Sequence, residues 1–423
     1  MVQQDGRRRK MGRRERKRTR TMEEGTLFVG IDIGMKANTF YCADIYGNAT
    51  KTMAFPHTRE GYEYFVERVF QARKKFRCTR EVVGYEPTGP YGEPLVHHLL
   101  KKGFCLVQVN PLHTKKLKEV NDNSPLKTDG KDPRVIVDIM RLGHTLSVFV
   151  PKGDAAQLRR LMNLRERHID ERVALINYLK QLIFIVFPEF TSIIKKPGSA
   201  TGMMLVREYI ATGLIWDTNE DTLKEAIRKA SRGKLGHCAE QLVARARGSV
   251  GIREGMAGIM MDMEHVALQF EMIQSLIRTT EEKIEQIIAR IPCAQRICSI
   301  PGIGRITVAG IIGEIGDFGT FSTQGEVMKF AGLNLYEVSS GVHMGKRRIA
   351  KRGRARLRNV LFLAALNTVR EKGIMYEYYH RLLGNGLHKV PALVAVSRKL
   401  LMVIYAIVRD EGFYEMKEEA KAA

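Results

Sequence analysis

Apolar and polar positions follow two different periods along the first 110 residues. Residues 27–33 (LFVGIDI) form a short apolar run that predicts a buried strand, and 39–45 (TFYCADI) predict its neighbour. Gly34, Lys36 and Asn38 between them suit a hairpin connection. Over 60–76 the apolar residues Tyr62, Phe65, Val66, Val69 and Phe70 recur at helical spacing, which predicts a helix. EVVGYE (81–86) reads as a third strand closed by Pro-Thr-Gly-Pro; 91–102 reads as a helix and FCLVQVN (104–110) as a fourth strand. Another helix is expected over 131–143, after an Asp-Gly turn. That order predicts an α/β unit over 26–150, a mixed sheet flanked by helices.

The period then changes. Residues 156–187 and 255–290 carry apolar positions spaced by threes and fours, the pattern of a coiled-coil or helical-hairpin seam. The partner of such a seam is either the same chain or a second copy. Between the two lies an irregular helical insert over 188–250, with Pro188 and Pro197, and the whole is read as one helical region, 151–290. A mainly helical domain follows over 291–410. It opens on SIPGIGRITVAGIIGEIG, where Gly302 and Gly304 predict a tight turn exposing backbone N–H groups at a helix N-terminus, a site for phosphate. A plain connector gives the same pattern. A Ser-Ser-Gly loop then precedes a basic stretch (Lys346, Arg347, Arg348, Lys351, Arg352, Arg354, Arg356 and Arg358) and an amphipathic helix with Leu357, Val360, Leu361 and Ala364 on its inner side. Residues 1–25 read as a basic, solvated tail and 411–423 as a charged one.

Charge narrows the partners. Lys and Arg number 69 against 46 Asp and Glu, a net charge of +23. Such a surplus favours polyanions, because each phosphate neutralised releases counterions. Nucleic acid is therefore expected, and a membrane is not, since no apolar run of about 18 residues is evident. The basic residues 1–20 have no apolar core behind them, so no secretion signal is read there. Six scattered cysteines without a Cys-x-x-Cys pair argue against zinc and disulfides, and point to a reducing cytoplasm.

Four acids carry the candidate chemistry. Asp32 interrupts an apolar strand, and Glu86 ends another just before a turn. A buried, unpaired carboxylate is costly, so each should be exposed, paired or bound to metal. Asp129 and Asp132 in KTDGKDP stand three residues apart, one face of a helix start. Brought together, such acids need a compensating cation, and hard oxygen ligands suit Mg²⁺ or Mn²⁺. Helix capping by Asp129 and Asp132 and a turn role for Asp32 explain the same residues. So does an actin-like ATPase, although no second glycine-rich phosphate loop accompanies Gly-x-Asp-x-Gly.

Several segments together decide between these. GIDIG, YEPTGPYGEPL and NPLHTKKLKE…SPLKTDGKDP resemble the DEDD domain of the insertion-sequence-110 family of transposases, also called bridge recombinases. SIPGIGRITVAGIIGEIGDFGTF, KFAGL, SSG and IAKRGRARLR resemble that family's second, transposase domain, in the same order. The resemblance covers roughly 27–405. It implies a front domain similar to the RuvC resolvase, RNase H-like, in which Asp32, Glu86, Asp129 and Asp132 bind divalent metal. It implies a serine that attacks the DNA phosphodiester covalently; Ser340 matches that position, with Ser339 adjacent. It also implies a structured noncoding guide RNA, donor and target DNA, and a homo-oligomer, dimer or tetramer, in which domains of different subunits complete a site. The setting implied is a prokaryotic cytoplasm, near the nucleoid.

Without the resemblance, Ser340 is an ordinary loop serine, since an unassisted hydroxyl needs a base or metal to become a nucleophile. His343 is close in sequence, and no His–Asp pair is evident. The basic stretch would hold phosphates. Two other readings stay open: a RuvC-like junction endonuclease using metal-activated water, and a non-catalytic nucleic-acid-binding protein. His97 and His98 are read as surface or packing residues.

Overall fold

The strand β1 (Thr26–Ile33) is apolar on both faces because it lies mid-sheet with helices on each side. The computed structural model describes residues 24–87, 89–122, 132–337, 339–340, 343–344 and 348–415. The chain divides into two units, Met1–Val150 and Pro151–Ala423. In the first, β2 (Ala37–Ala43), β3 (Met53–Pro56), β4 (Arg80–Tyr85), β5 (Cys105–Val109) and β6 (Thr145–Ser147) join β1 in a sheet ordered β3-β2-β1-β4-β5-β6. The central pairs β1–β4 and β4–β5 are parallel, and the outer pairs are antiparallel. Helices α1 (Arg59–Lys75), α2 (Glu93–Lys101), α3 (Pro111–Asp122) and α4 (Asp132–Arg141) complete the unit.

Side-chain alternation sorts β1 between two cores. Leu27, Val29, Ile31 and Ile33 pack with Val69 of α1 and with Leu95 and Leu99 of α2. Phe28 packs on the other face, with Val135, Ile136 and Met140 of α4. Glycine lets α4 lie close to that face. A Cβ on Gly30 would stand 2.1 Å from the Pro133 carbonyl oxygen, and one on Gly84 would stand 2.1 Å from the Met140 sulfur. Gly30 and Gly84 are paired across β1 and β4. Gly30→Ala therefore forces α4 off the sheet at a cost of about 1–3 kcal/mol. Hydrogen exchange at β1 and β4 amides should quicken by roughly 5- to 150-fold. Unchanged exchange would show that α4 does not depend on this close approach.

The second unit is helical. Its two long helices, α5 (Gly153–Val186) and α10 (Met256–Ile288), flank α6 (Phe190–Ile193), α7 (Ala200–Leu205), α8 (Glu220–Ser231) and α9 (Cys238–Arg247). Arg290 just past α10 bonds Asp154 at 2.7 Å, Arg165 bonds Glu281 at 2.6 Å, and Arg172 reaches Gln274 at 3.3 Å. Such a ladder makes α5 and α10 an antiparallel hairpin within one chain. Residues 190–247 have their own core against its far end, around Phe187, Phe190, Leu242 and Met263.

The remainder comprises α11 (Pro292–Cys298), α12 (Arg305–Ile315), α13 (Gln324–Ala331), the two-residue strands β7 (Leu335–Tyr336), β8 (Ser339–Ser340), β9 (His343–Met344) and β10 (Arg348–Ile349), then α14 (Ala355–Thr368), α15 (Tyr376–Gly384) and α16 (Lys389–Arg409). One sequence expectation is corrected here: α16 is long and apolar enough to cross a membrane. It is instead a core helix of this unit, burying Leu393, Val396, Leu400, Leu401 and Ile404 with Leu357 and Leu361 of α14. Its Ser397 hydroxyl donates to the Leu393 carbonyl at 2.9 Å, so the polar group is satisfied locally.

Candidate active site

Asp32 is the penultimate residue of β1, and Glu86 directly follows β4. The two strands run parallel with Ile31 beside Tyr85, so both acids stand at neighbouring carboxyl ends. Phe28 and Gly30 face α4, and alternation puts Asp32 on that same face. Glu86 follows Gly84 by two residues in the same way. Asp132 opens α4, whose Pro133 lies over Gly30. Asp32 and Glu86 thus stand on one face at one sheet end, the face that the helix opened by Asp132 covers. This is also where the sheet's connections diverge, to β2 from β1 and towards β5 from β4, the crevice where open sheets bind ligands.

Asp129 lies outside the described residues. Asp132 is mostly buried and ion-paired with Lys118 of α3. Among the described residues, no group of three or more Asp, Glu, His or Cys side chains is placed to hold a metal ion. The donor set still fits a hard divalent cation, being carboxylate oxygen throughout. Lys118 now supplies the positive charge beside Asp132, and sequence reasoning missed it. Its motif NPLHTKKLKE contains it, but the pairing spans 14 residues and is tertiary.

Ser340 lies in β8, backbone-paired in register with His343 of β9, while Ser339 pairs with Met344. The two strands rise from a base in which Tyr336 pairs with Arg348 and Leu335 with Ile349. That base is pinned by Lys351 N–H to the Gly332 carbonyl at 3.0 Å and by Arg354 N–H to that of Phe330 at 3.0 Å. Gly353 is required there, since a Cβ would stand 2.4 Å from the Phe330 oxygen. Burial pushes the Cys42 thiol up to about 12 and raises those of Cys78, Cys293 and Cys298, which disfavours the thiolate at these four.

The basic stretch divides in two. Arg354 lies over the Phe330 ring and near Glu314, Arg356 pairs with Glu166 at 3.2 Å and also bonds Asn163, and Arg358 donates to the Ala331 carbonyl at 2.9 Å. Desolvation holds the half-buried Arg358 below its ordinary pKa. Arg348, Lys351 and Arg352 are exposed, while Lys346 and Arg347 lie outside the described residues. Lys351→Ala and Arg352→Ala should each reduce the salt slope of DNA binding by about 1, with no loss of stability. An unchanged slope in a salt titration would remove them from the phosphate contacts.

Gly302 adopts φ +88°, and Gly304 is the N-cap of α12 with no side-chain cap. Gly302, Gly304 and Arg305 are all exposed, so this helix presents open N–H groups to solvent.

A sheet unit with acids at the carboxyl ends of its central strands is thus followed by a helical unit carrying a serine ribbon with basic flanks. Residues 29–188 match the DEDD transposase family of IS110, and 294–380 match the transposase family of IS116, IS110 and IS902. The chain is 22% identical to an insertion element IS110 protein of Streptomyces coelicolor, over 94% of this chain and 98% of the relative. It is 25% identical to an insertion element IS116 protein of Streptomyces clavuligerus, over 68% and 72% respectively. A pilin gene-inverting protein of Moraxella bovis is 30% identical over 29% of this chain and 39% of its own. The chain belongs to the IS110 family of transposases. It is a DNA recombinase acting on DNA substrates, and its family implies dependence on a divalent metal.

Proposed function

We propose that this chain moves an insertion element by serine-mediated strand cleavage and exchange, guided by a structured noncoding RNA. The observation that carries the reading is the placement of Asp32 and Glu86 at the neighbouring carboxyl ends of two parallel strands, on the face covered by the helix that Asp132 opens. The mixed sheet with α4 across β1 and β4 supports an RNase H-like, RuvC-like front domain over 26–150. The helical region 151–290 and the transposase domain 291–410 complete the proposed organisation.

Asp32, Glu86, Asp129 and Asp132 would hold Mg²⁺ or Mn²⁺, which supplies Lewis acidity at a phosphodiester. Ser340 attacks phosphorus, forming a serine–phosphate ester while a deoxyribose oxygen leaves and takes up a proton. A hydroxyl of the exchanging strand then attacks that ester, displaces the serine and reseals the backbone. One phosphoester is exchanged for another, so no nucleotide cofactor is required. Arg348, Lys351 and Arg352, with Lys346, Arg347, Arg354, Arg356 and Arg358 in the same stretch, neutralise strand phosphates. The open N-terminus of α12 at Gly302 and Gly304 takes another phosphate.

Self-association is supported by apolar side chains left outside the α5–α10 seam: Val173, Phe184, Met261, Leu268 and Met272 are all exposed. The gene-inverting activity named for the Moraxella relative, a rearrangement of DNA, supports strand exchange rather than simple cleavage. The test is a covalent chain–DNA adduct on junction DNA that needs Ser340. Its formation supports the reading, and efficient cleavage without it would favour a RuvC-like nuclease.

A further inference from the structure

The pairing of β1 with β2 puts one more polar group in the row of the acids. Asp32 of β1 lies directly opposite Thr39 of β2. Alternation along β2 sends Phe40 and Cys42 to the core under α1 and α2, and Tyr41 and Ala43 to the core under α4. Thr39 therefore stands on the α4 face, the face of Asp32. Opposed residues on one face have Cβ atoms about 5 Å apart, within reach of a hydroxyl and a carboxylate. The row across the sheet runs Ala54, Thr39, Asp32 and then Glu86, just beyond the end of β4.

The Thr39 hydroxyl is buried and has no hydrogen-bond partner among the described residues. A buried polar group left unbonded is costly, so its place in the fold calls for a reason. Of the two residues directly opposed to Thr39, Ala54 carries no polar side chain, which leaves Asp32. Tyr41, the next residue along the same face, lies under the Arg134 guanidinium, 5.3 Å from its ring centroid. A branched side chain suits a strand by itself, but valine would supply that without burying a hydroxyl. At Asp132 the corresponding partner is already in place, since Lys118 is ion-paired with it.

We infer that Thr39 is a positioning residue of the metal site: its hydroxyl donates to one carboxylate oxygen of Asp32, fixes the plane of the carboxylate and leaves the other oxygen for the divalent cation. The inference rests on the reading of the four acids as a metal site. A carboxylate has room for both partners, because its two oxygens offer about four acceptor positions. Rotation of the Thr39 side chain between staggered positions turns the hydroxyl towards Asp32. Carboxylates that bind metal are themselves hydrogen-bonded, and losing such a partner costs about 10- to 100-fold in metal affinity. Thr39 thus acts through Asp32 and not on the cation itself.

The effect on the metal-free chain separates this role from a structural one. Thr39→Val keeps the shape of the side chain and removes a hydroxyl that has no partner. The melting temperature without metal should therefore stay the same or rise slightly. The test is a calorimetric titration of the full-length chain with Mn²⁺ in the absence of DNA, beside thermal melts with and without Mn²⁺. Thr39→Val should bind Mn²⁺ about tenfold more weakly or worse, and lose part of the rise in melting temperature that Mn²⁺ gives the wild type. Thr39→Ser keeps the hydroxyl and should bind as the wild type does. Asp32→Asn is the reference and should abolish the same binding step. Wild-type affinity in Thr39→Val beside lost binding in Asp32→Asn would overturn the inference and leave the acid site standing. Unchanged binding in Asp32→Asn would overturn both. A lowered metal-free melting temperature in Thr39→Val would make the hydroxyl structural and overturn the inference too.

Discussion

Asp32→Asn should lower single-turnover cleavage of junction DNA by a factor on the order of 10³, with DNA binding retained within about twofold. The substitution keeps the shape of the side chain and removes its charge. Asp32 is the penultimate residue of a central strand of the sheet, on the same face as Glu86 and under the helix that Asp132 opens. Losing one oxygen ligand there removes several kcal/mol of transition-state stabilisation, and each 1.36 kcal/mol is tenfold in rate. The effect should be confined to the chemical step, which a mobility-shift assay beside the cleavage assay would check. A rate near wild type would make the acids structural. Asp44 shows what a structural acid looks like in this fold: it is buried and accepts from Tyr46 N, Asn48 N and Asn48 Nδ2. Those partners are local and close a turn.

Strands and helices with strong periodicity were legible from the residues. The apolar runs at 27–33, 39–45, 81–86 and 104–110 became β1, β2, β4 and β5, each shifted by one or two residues. Two strands were not legible. β3 has only Phe55 fully buried in four residues, and β6 is three residues with Leu146 exposed. Both are edge strands whose pairing partner, rather than their own pattern, makes them strands. Helix α3 was missed too, because its stretch PLHTKKLKEVND is polar nearly throughout. The long seam was visible, but whether it closed within one chain depended on cross-helix pairs such as Arg165 with Glu281.

The site was legible in part. A carboxylate in an apolar strand is anomalous on its face, which is why Asp32 and Glu86 stood out. Nothing local marks Ser340, whose candidacy comes from the family motif. The basic stretch reads as eight equivalent cations, yet Arg356 and Arg358 turn to Glu166 and the Ala331 carbonyl because α14 begins there and packs inward.

The serine–DNA ester is the central claim, and Ser340→Ala carries its largest expected effect. Without the hydroxyl no ester can form, so the adduct should vanish and strand exchange should fall by a factor on the order of 10⁴ or more. Ser339→Ala should form the adduct, since it is Ser340 that matches the family position. Both serines lie in β8, each paired with a residue of β9, so Ser339→Ala removes a neighbouring hydroxyl from the same two-residue strand and serves as the control. The decisive measurement is a denaturing gel of end-labelled junction DNA incubated with Mg²⁺ and each chain. A labelled band at protein mass is predicted for wild type and Ser339→Ala and none for Ser340→Ala; cleavage by Ser340→Ala at the wild-type rate would contradict the account.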